Sequence, residues 1–284
     1  MMDSQSREAF EIKWLLEAIY ACYGYDFRDY AGASLKRRIL NRLEQSGCRH
    51  ISDMVGKILY DADFFELFLQ DMSITVTEMF RDPRVFLQIR KRVIPRLKTY
   101  SRINVWHAGC ATGEEVYSLA ILLHEEGLLE KTRIYATDFN NHSLEIARKG
   151  IYSAELAKYQ DNYLLGGGKK ALSDYYQHNY DAVIMKAFLR QRITFANHNL
   201  TRDQVFAEMH LIMCRNVLIY FNQTLQNKVL GLLIDSLVHK GFLVLGDKEI
   251  LEFTSITHQF DDFDPGARIY RKTAALPEAD QNEG

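Results

Sequence analysis

Residues 106–120 read WHAGCATGEEVYSLA: an apolar strand enters a turn containing Gly109 and Gly113, the carboxylates Glu114 and Glu115 follow, and a helical pattern begins. A strand that passes into a helix through a glycine-rich turn is the opening unit of a parallel, doubly wound α/β sheet. Ligands of such sheets lie beyond the carboxyl ends of the strands, next to this first turn. The segment therefore predicts a fold and the place of a site together.

Outward from it the alternation continues. INVWHA (103–108) and RIYATD (133–138) flank the helix pattern EEVYSLAILLHEE. HLIMCRN (210–216) and GFLVLG (241–246) flank QTLQNKVLGLLIDSLVHK, and ARIYRK (267–272) follows a Pro265-Gly266 turn. Short apolar strands separated by helices of this length predict a mostly parallel sheet with right-handed crossovers over residues 102–275. The stretch 162–200 is too long for one crossover; with Gly166-Gly167-Gly168, several tyrosines and β-type alternation it predicts a small antiparallel insertion, about 160–195. Upstream, residues 1–71 read as a helical domain: Leu15 and Ile19, then Leu35, Ile39 and Leu43, recur at helical spacing. SLKRRILNRL within it places Lys36, Arg37, Arg38 and Arg42 on one helix, as a solvated polar face or a docking face for an acidic helix. Residues 72–101 connect the two regions, and the polar tail 276–284 predicts disorder.

Composition limits the partners. The chain has 284 residues, 47% hydrophobic and 25% charged, with a formal net charge of −2. That is globular, with no polyanion as obligatory partner. No apolar run reaches about 18 residues and no signal-peptide core opens the chain, so no membrane insertion and a cytoplasmic location are expected. Cys22, Cys48, Cys110 and Cys214 show no CxxC spacing, which offers neither a disulfide framework nor a zinc site.

The charge of the opening stretch narrows its ligand. A helix N-terminus favours an anion, and Glu114 and Glu115 would repel a pyrophosphate placed there. They suit a nucleoside that carries a cation, and S-adenosylmethionine (SAM), with its sulfonium, ammonium and ribose, is the natural candidate. Asp138 ends the next strand where such folds bind ribose hydroxyls. Taken alone, the turn also fits a plain strand-to-helix junction with glutamates as dipole partners.

Other segments add a resemblance. TVTEMFRD (75–82), AGCATGEEVYSLA (108–120), ATDFN (136–140), CRNVLIYF (214–221), the basic helix KRRILNRL and GIYSAE (150–155) occur in the order of the CheR-type chemotaxis receptor methyltransferases, which are SAM-dependent protein-glutamate O-methyltransferases. The resemblance implies a small all-helical N-terminal domain and a Rossmann-like methyltransferase domain with a β-subdomain insertion. It implies that Thr75, Thr77 and Arg81 reach the cofactor from the connecting segment, that Gly109 lies against it, and that Glu114 or Glu115 meets its methionine end. Asp138 would take the ribose, Asn199-Leu200 the adenine, and Asn216 with Val217 would line the cleft. Arg81 and Tyr220 would flank the transferred methyl group, leaving S-adenosylhomocysteine (SAH). Arg38 and Arg42 would meet the receptor's cytoplasmic helices, a receptor C-terminal peptide would bind the β-subdomain, and the enzyme would be a monomer. Thr75, Met79 and Gly246-Asp247-Lys248-Glu249 depart from the pattern.

Methyl transfer to a glutamate needs no general base, because a carboxylate with a pKa of about 4.3 is already ionised at neutral pH. Alignment and exclusion of water are what the protein adds. The alternatives are the same chemistry on another protein or small acid, and a SAM- or SAH-binding scaffold without turnover. Nucleic acid is not expected, since no Asp-Pro-Pro-aromatic block is present. Cys110, Cys214 and His107 read as packing residues.

Overall fold

The computed structural model describes residues 3–73, 77–252, 254 and 256–273. Four helices form the N-terminal part: α1 (Ser4–Tyr23), α2 (Gly32–Ser46), α3 (Ile51–Tyr60) and α4 (Ala62–Met72). Local chemistry sets their ends. Asp3 accepts from the Ser6 N–H at the start of α1, Gly24 closes it in the left-handed region, and Asp61 caps α4 through the Phe64 N–H. Leu15, Ile19, Ile39, Met54, Ile58 and Phe68 form the core between them. Trp14, the residue before Leu15 on α1, is half exposed.

The connecting segment is part of the second core. Helix α5 (Pro83–Gln88) runs through a π turn at Ile89–Val93 into α6 (Ile94–Leu97), and Val85, Phe86, Ile89, Val93, Ile94 and Leu97 are buried against the sheet.

Beyond it the chain folds as α/β. In order come β1 (Ile103–Ala108), α7 (Glu114–Glu125), β2 (Thr132–Asp138), α8 (Asn141–Lys149) and β3 (Ile151–Ser153). Then follow α9 (Gln160–Leu165), β4 (Tyr176–Asn179), β5 (Ala182–Met185), α10 (Ala187–Arg190), β6 (Ile193–Asn197) and β7 (Met209–Cys214). The chain closes with α11 (Gln223–Ser236), β8 (Leu237–Leu245), β9 (Phe260–Asp264) and β10 (Ile269–Lys272). The main sheet has the order β6-β2-β1-β7-β8-β10-β9, parallel from β6 to β8, with β10 and β9 antiparallel. Strand order reverses between β1 and β7, which opens the binding crevice of a doubly wound sheet.

Several expected boundaries move. The antiparallel insertion is a sheet of order β3-β5-β4, so it begins at Ile151, before 160. ITFAN, expected inside the insertion, is the edge strand β6 of the main sheet, with Ala136 opposite Phe195. The last four residues of the expected helix 223–240 belong to β8. The triple glycine lies outside the small sheet, against Phe80, Phe86 and Leu87 of the connecting segment. The expected disordered tail lies outside the described residues.

Candidate functional site

One pocket lies at the carboxyl ends of β1, β2, β6 and β7, and the helical domain forms its far wall. β1 brings His107, Gly109, Cys110 and Ala111; α7 brings Glu115; the end of β2 brings Asp138 and Phe139. His198, Asn199, Leu200 and Thr201 follow β6, and Arg215, Asn216, Val217, Tyr220 and Phe221 follow β7. Thr77 and Arg81 come from the connecting segment; Tyr30, Arg38, Met72 and Ser73 come from the helical domain.

The turn after β1 is tight for a visible reason. Gly109 has φ +77°, and a Cβ there would stand 2.6 Å from a Val217 methyl. The site needs backbone at that point. Asp138 then fixes the turn: its carboxylate accepts the Ala111 N–H at 2.9 Å and the Asn140 N–H at 2.9 Å. Burial pushes its carboxyl up against the pull of these donors.

The two glutamates part company. Glu114 turns away from the pocket, where the Thr112 hydroxyl donates to it at 2.7 Å and burial raises its pKa. Of the two residues expected at the methionine end, only Glu115 faces the pocket. Burial would raise its carboxyl, but Arg215 and His107 outweigh that and hold it at about 2. Arg215 is fully enclosed and donates to Glu115 at 2.5 Å, to Asp82 at 2.5 Å and to the Arg81 carbonyl at 3.2 Å. Phe80 and Asp82 both have positive φ, an uncommon state for residues with side chains. The Phe80 N–H is tied to the Ser118 hydroxyl at 2.9 Å. Arg215 and Ser118 thus hold the turn that carries Arg81.

Across the pocket, Glu249 accepts the backbone N–H groups of Asn216, Val217, Leu218 and Ile219 at 2.7–3.3 Å. Gly246 completes this anchor at 2.6 Å, where a Cβ would strike Asn216. Tyr220 is placed by this loop, and burial keeps its phenol protonated although Arg38 and Arg81 pull the other way.

Thr77, Arg81, Gly109, Glu115, Asp138, Asn199, Leu200, Asn216, Val217 and Tyr220 all line this one pocket. Thr75 lies outside the described residues. The Asn199 side chain is engaged locally, accepting from the Thr201 N–H and hydroxyl. Arg38 and Arg42 do not form an outward face. Both are 8% exposed. Arg42 pairs with Asp71 and the Leu67 carbonyl on α4, and Arg38 lines the pocket. Apart from Ser34, one turn before Arg38, their partners lie 25–34 residues downstream, too far for spacing to reveal. Lys36 and Arg37 are the exposed cations of α2. His107, read as packing, is buried yet lines the pocket 3.6 Å from Glu115. Burial drives the Cys110 and Cys214 thiols well up, which leaves them unreactive.

The pocket fits a nucleoside bearing a cation. It pairs an acid at the end of β2 with a glycine cradle, and the Glu115 carboxylate at the start of α7 disfavours phosphate. Among the described residues no cluster of metal ligands occurs, and no helix is long and apolar enough to cross a membrane.

Known proteins agree. Residues 75–264 match the SAM-binding domain of CheR methyltransferases, and residues 11–73 match their all-alpha domain. The Cher3 protein of Pseudomonas putida is 51% identical over 96% of this chain and all of its own length. A 104.1 kDa protein of Rhodobacter capsulatus is 31% identical over 91% of this chain, which spans 27% of that protein. The chemotaxis protein methyltransferase of Listeria innocua is 31% identical over 80% of this chain and 84% of its own. With both domains matched in order and a pocket that accepts a cationic nucleoside, the chain belongs to the CheR methyltransferase family, and its cofactor is S-adenosylmethionine.

Proposed function

We propose that this protein methylates glutamate side chains on the cytoplasmic helices of a chemoreceptor, giving glutamate methyl ester and SAH. The observation that carries the reading is the convergence of Arg81, Arg38 and Tyr220 on the cofactor pocket. Arg38 adds a guanidinium to a pocket whose cofactor brings one carboxylate of its own, and a second anion suits that charge. A carboxylate is that anion, and it is also a nucleophile that needs no base.

Bound SAM supplies an electrophilic methyl group. Asp138 would hold its ribose and Glu115 would face its ammonium, with Asn199 and Leu200 at the adenine and Thr77, Asn216 and Val217 along the walls. Arg81 presents a planar fork to the incoming carboxylate, and Tyr220 donates a hydrogen bond without adding charge. The helical domain closes the pocket against water, which strengthens these interactions. The exposed cations Lys36 and Arg37 contribute to receptor encounter in a salt-dependent way. A receptor C-terminal peptide would add a strand at the free edge of β3 or β4. We place the enzyme in the cytoplasm as a monomer.

The test uses methyl-labelled SAM and membranes carrying the host's chemoreceptors. Wild type should form alkali-labile ester on the receptor, and Arg81→Ala should lose at least about 100-fold while still binding SAH, as expected for an interaction made in the transition state. Unchanged turnover in Arg81→Ala would remove that residue from the reaction. SAM binding without ester formation by wild type would point to another acid or to a scaffold.

A further inference from the structure

Three enclosed arginines are matched with acids. Arg42 meets Asp71, Arg90 meets Glu125 and Glu126, and Arg215 meets Glu115 and Asp82. Arg38 differs. Its Nη1 donates to the Met72 carbonyl and its Nη2 to the Ser34 hydroxyl at 2.9 Å, both neutral acceptors, while its Nε is without a partner, as are those of Arg90 and Arg215. Among the described residues, the groups acting on its charge are Tyr30, Tyr220 and Arg37, none of them an acid. Its guanidinium carbon stands 5.5 Å from the centre of the Tyr220 ring, inside the cofactor pocket. Burial pushes its pKa down, so the charge is held against a desolvation cost. A buried cation with no counter-ion among the described residues suits one brought by a ligand.

We propose that Arg38 receives the substrate carboxylate that is to be methylated, together with Arg81 and Tyr220. The inference rests on carboxyl methylation as the reaction and adds the group that recognises the substrate's charge. Recognition then comes from the helical domain, while the cofactor is held mainly by the sheet. The site selects glutamate over glutamine, because an amide leaves the guanidinium without its counter-charge.

Arg38→Gln and Arg38→Lys separate this role from a strut between α2 and α4. Glutamine keeps an amide donor for Met72 or Ser34 and loses the charge; lysine keeps the charge and loses the fork. SAH affinity would be measured by calorimetry on the intact protein, and kcat and KM with receptor-bearing membranes and labelled SAM. The expected result is SAH affinity within about twofold of wild type in both variants, with kcat/KM down about 100-fold in Arg38→Gln and about tenfold in Arg38→Lys. A parallel loss of SAH affinity would overturn the proposal, because Arg38 would then serve the cofactor's own carboxylate. Activity in Arg38→Gln equal to that in Arg38→Lys would overturn it too, and leave a strut. If wild type forms no alkali-labile ester while binding SAH, the reaction itself is misassigned and this role falls with it.

Discussion

A carboxylate enclosed by protein stays ionised only where nearby charge outweighs the loss of water. Glu115 is such a group: Arg215 and His107 hold its carboxyl at about 2, below the ordinary 4.5. The folded value lies below the unfolded one. The pair therefore contributes its full stability above about pH 4.5 and loses it as the pH falls towards about 2. At about 1.4 kcal/mol per pKa unit this amounts to a few kcal/mol. Glu115→Gln should flatten the loss of stability between about pH 5 and pH 2 in denaturant titrations; parallel curves for variant and wild type would show that the ion pair contributes nothing. Residues of this kind were half legible. Acids after the glycine turn flagged the helix start, but a sequence does not tell which of two neighbouring side chains faces inward until the turn's geometry is known. Arg38 and Arg42 read as solvent-facing because arginine is seldom buried without partners, and apart from the Ser34 hydroxyl their partners are backbone carbonyls and an acid on another helix.

Among elements, the loop after β7 depends on Glu249 more than on its own sequence. One carboxylate collects four successive N–H groups there, with that of Gly246 as a fifth. Asp247 and Lys248, where the sequence departs from the family pattern, are exposed, and the anchoring glutamate is kept. Glu249→Gln should cost roughly 2–4 kcal/mol and weaken SAM binding about tenfold, since an amide turns a donor toward backbone donors. Thermal melting and a binding titration would check it, and a variant that melts normally with full affinity would leave the loop self-supporting. The central strands were legible because they run apolar into polar turns. β6 was not: as an edge strand it buries Phe195 between the exposed Thr194 and Ala196, which is also the signature of an antiparallel hairpin. The join of α11 and β8 was hidden for a different reason, the absence of Gly or Pro from Leu232 to Lys240.

Over the whole molecule, the two domains meet through specific contacts. Tyr30 pairs with Phe221 through a backbone bridge and ring contact, the Ala31 N–H donates to the Tyr220 carbonyl at 2.8 Å, and the Asn222 side chain donates to Asp29 at 2.9 Å. Tyr25 and Phe27 set their ring edges against Phe139 at the end of β2. Tyr25 is outside the pocket, yet Tyr25→Ala should weaken SAM binding about threefold to tenfold, because aromatic pairs of this type contribute about 0.5–1.5 kcal/mol and the wall they hold is shared. Calorimetry on the folded variant would decide it; unaltered affinity would mean that the sheet alone holds the cofactor. That shared wall also has a kinetic side. Cofactor affinity and domain docking are linked by one coupling free energy, which acts equally in both directions. A partner that holds the helical domain slightly away from β2 and β7 must loosen the spent cofactor by the same factor. Grip on the receptor and ejection of product can then be two faces of one movement, and the rate of turnover can be set from outside the pocket without a second ligand.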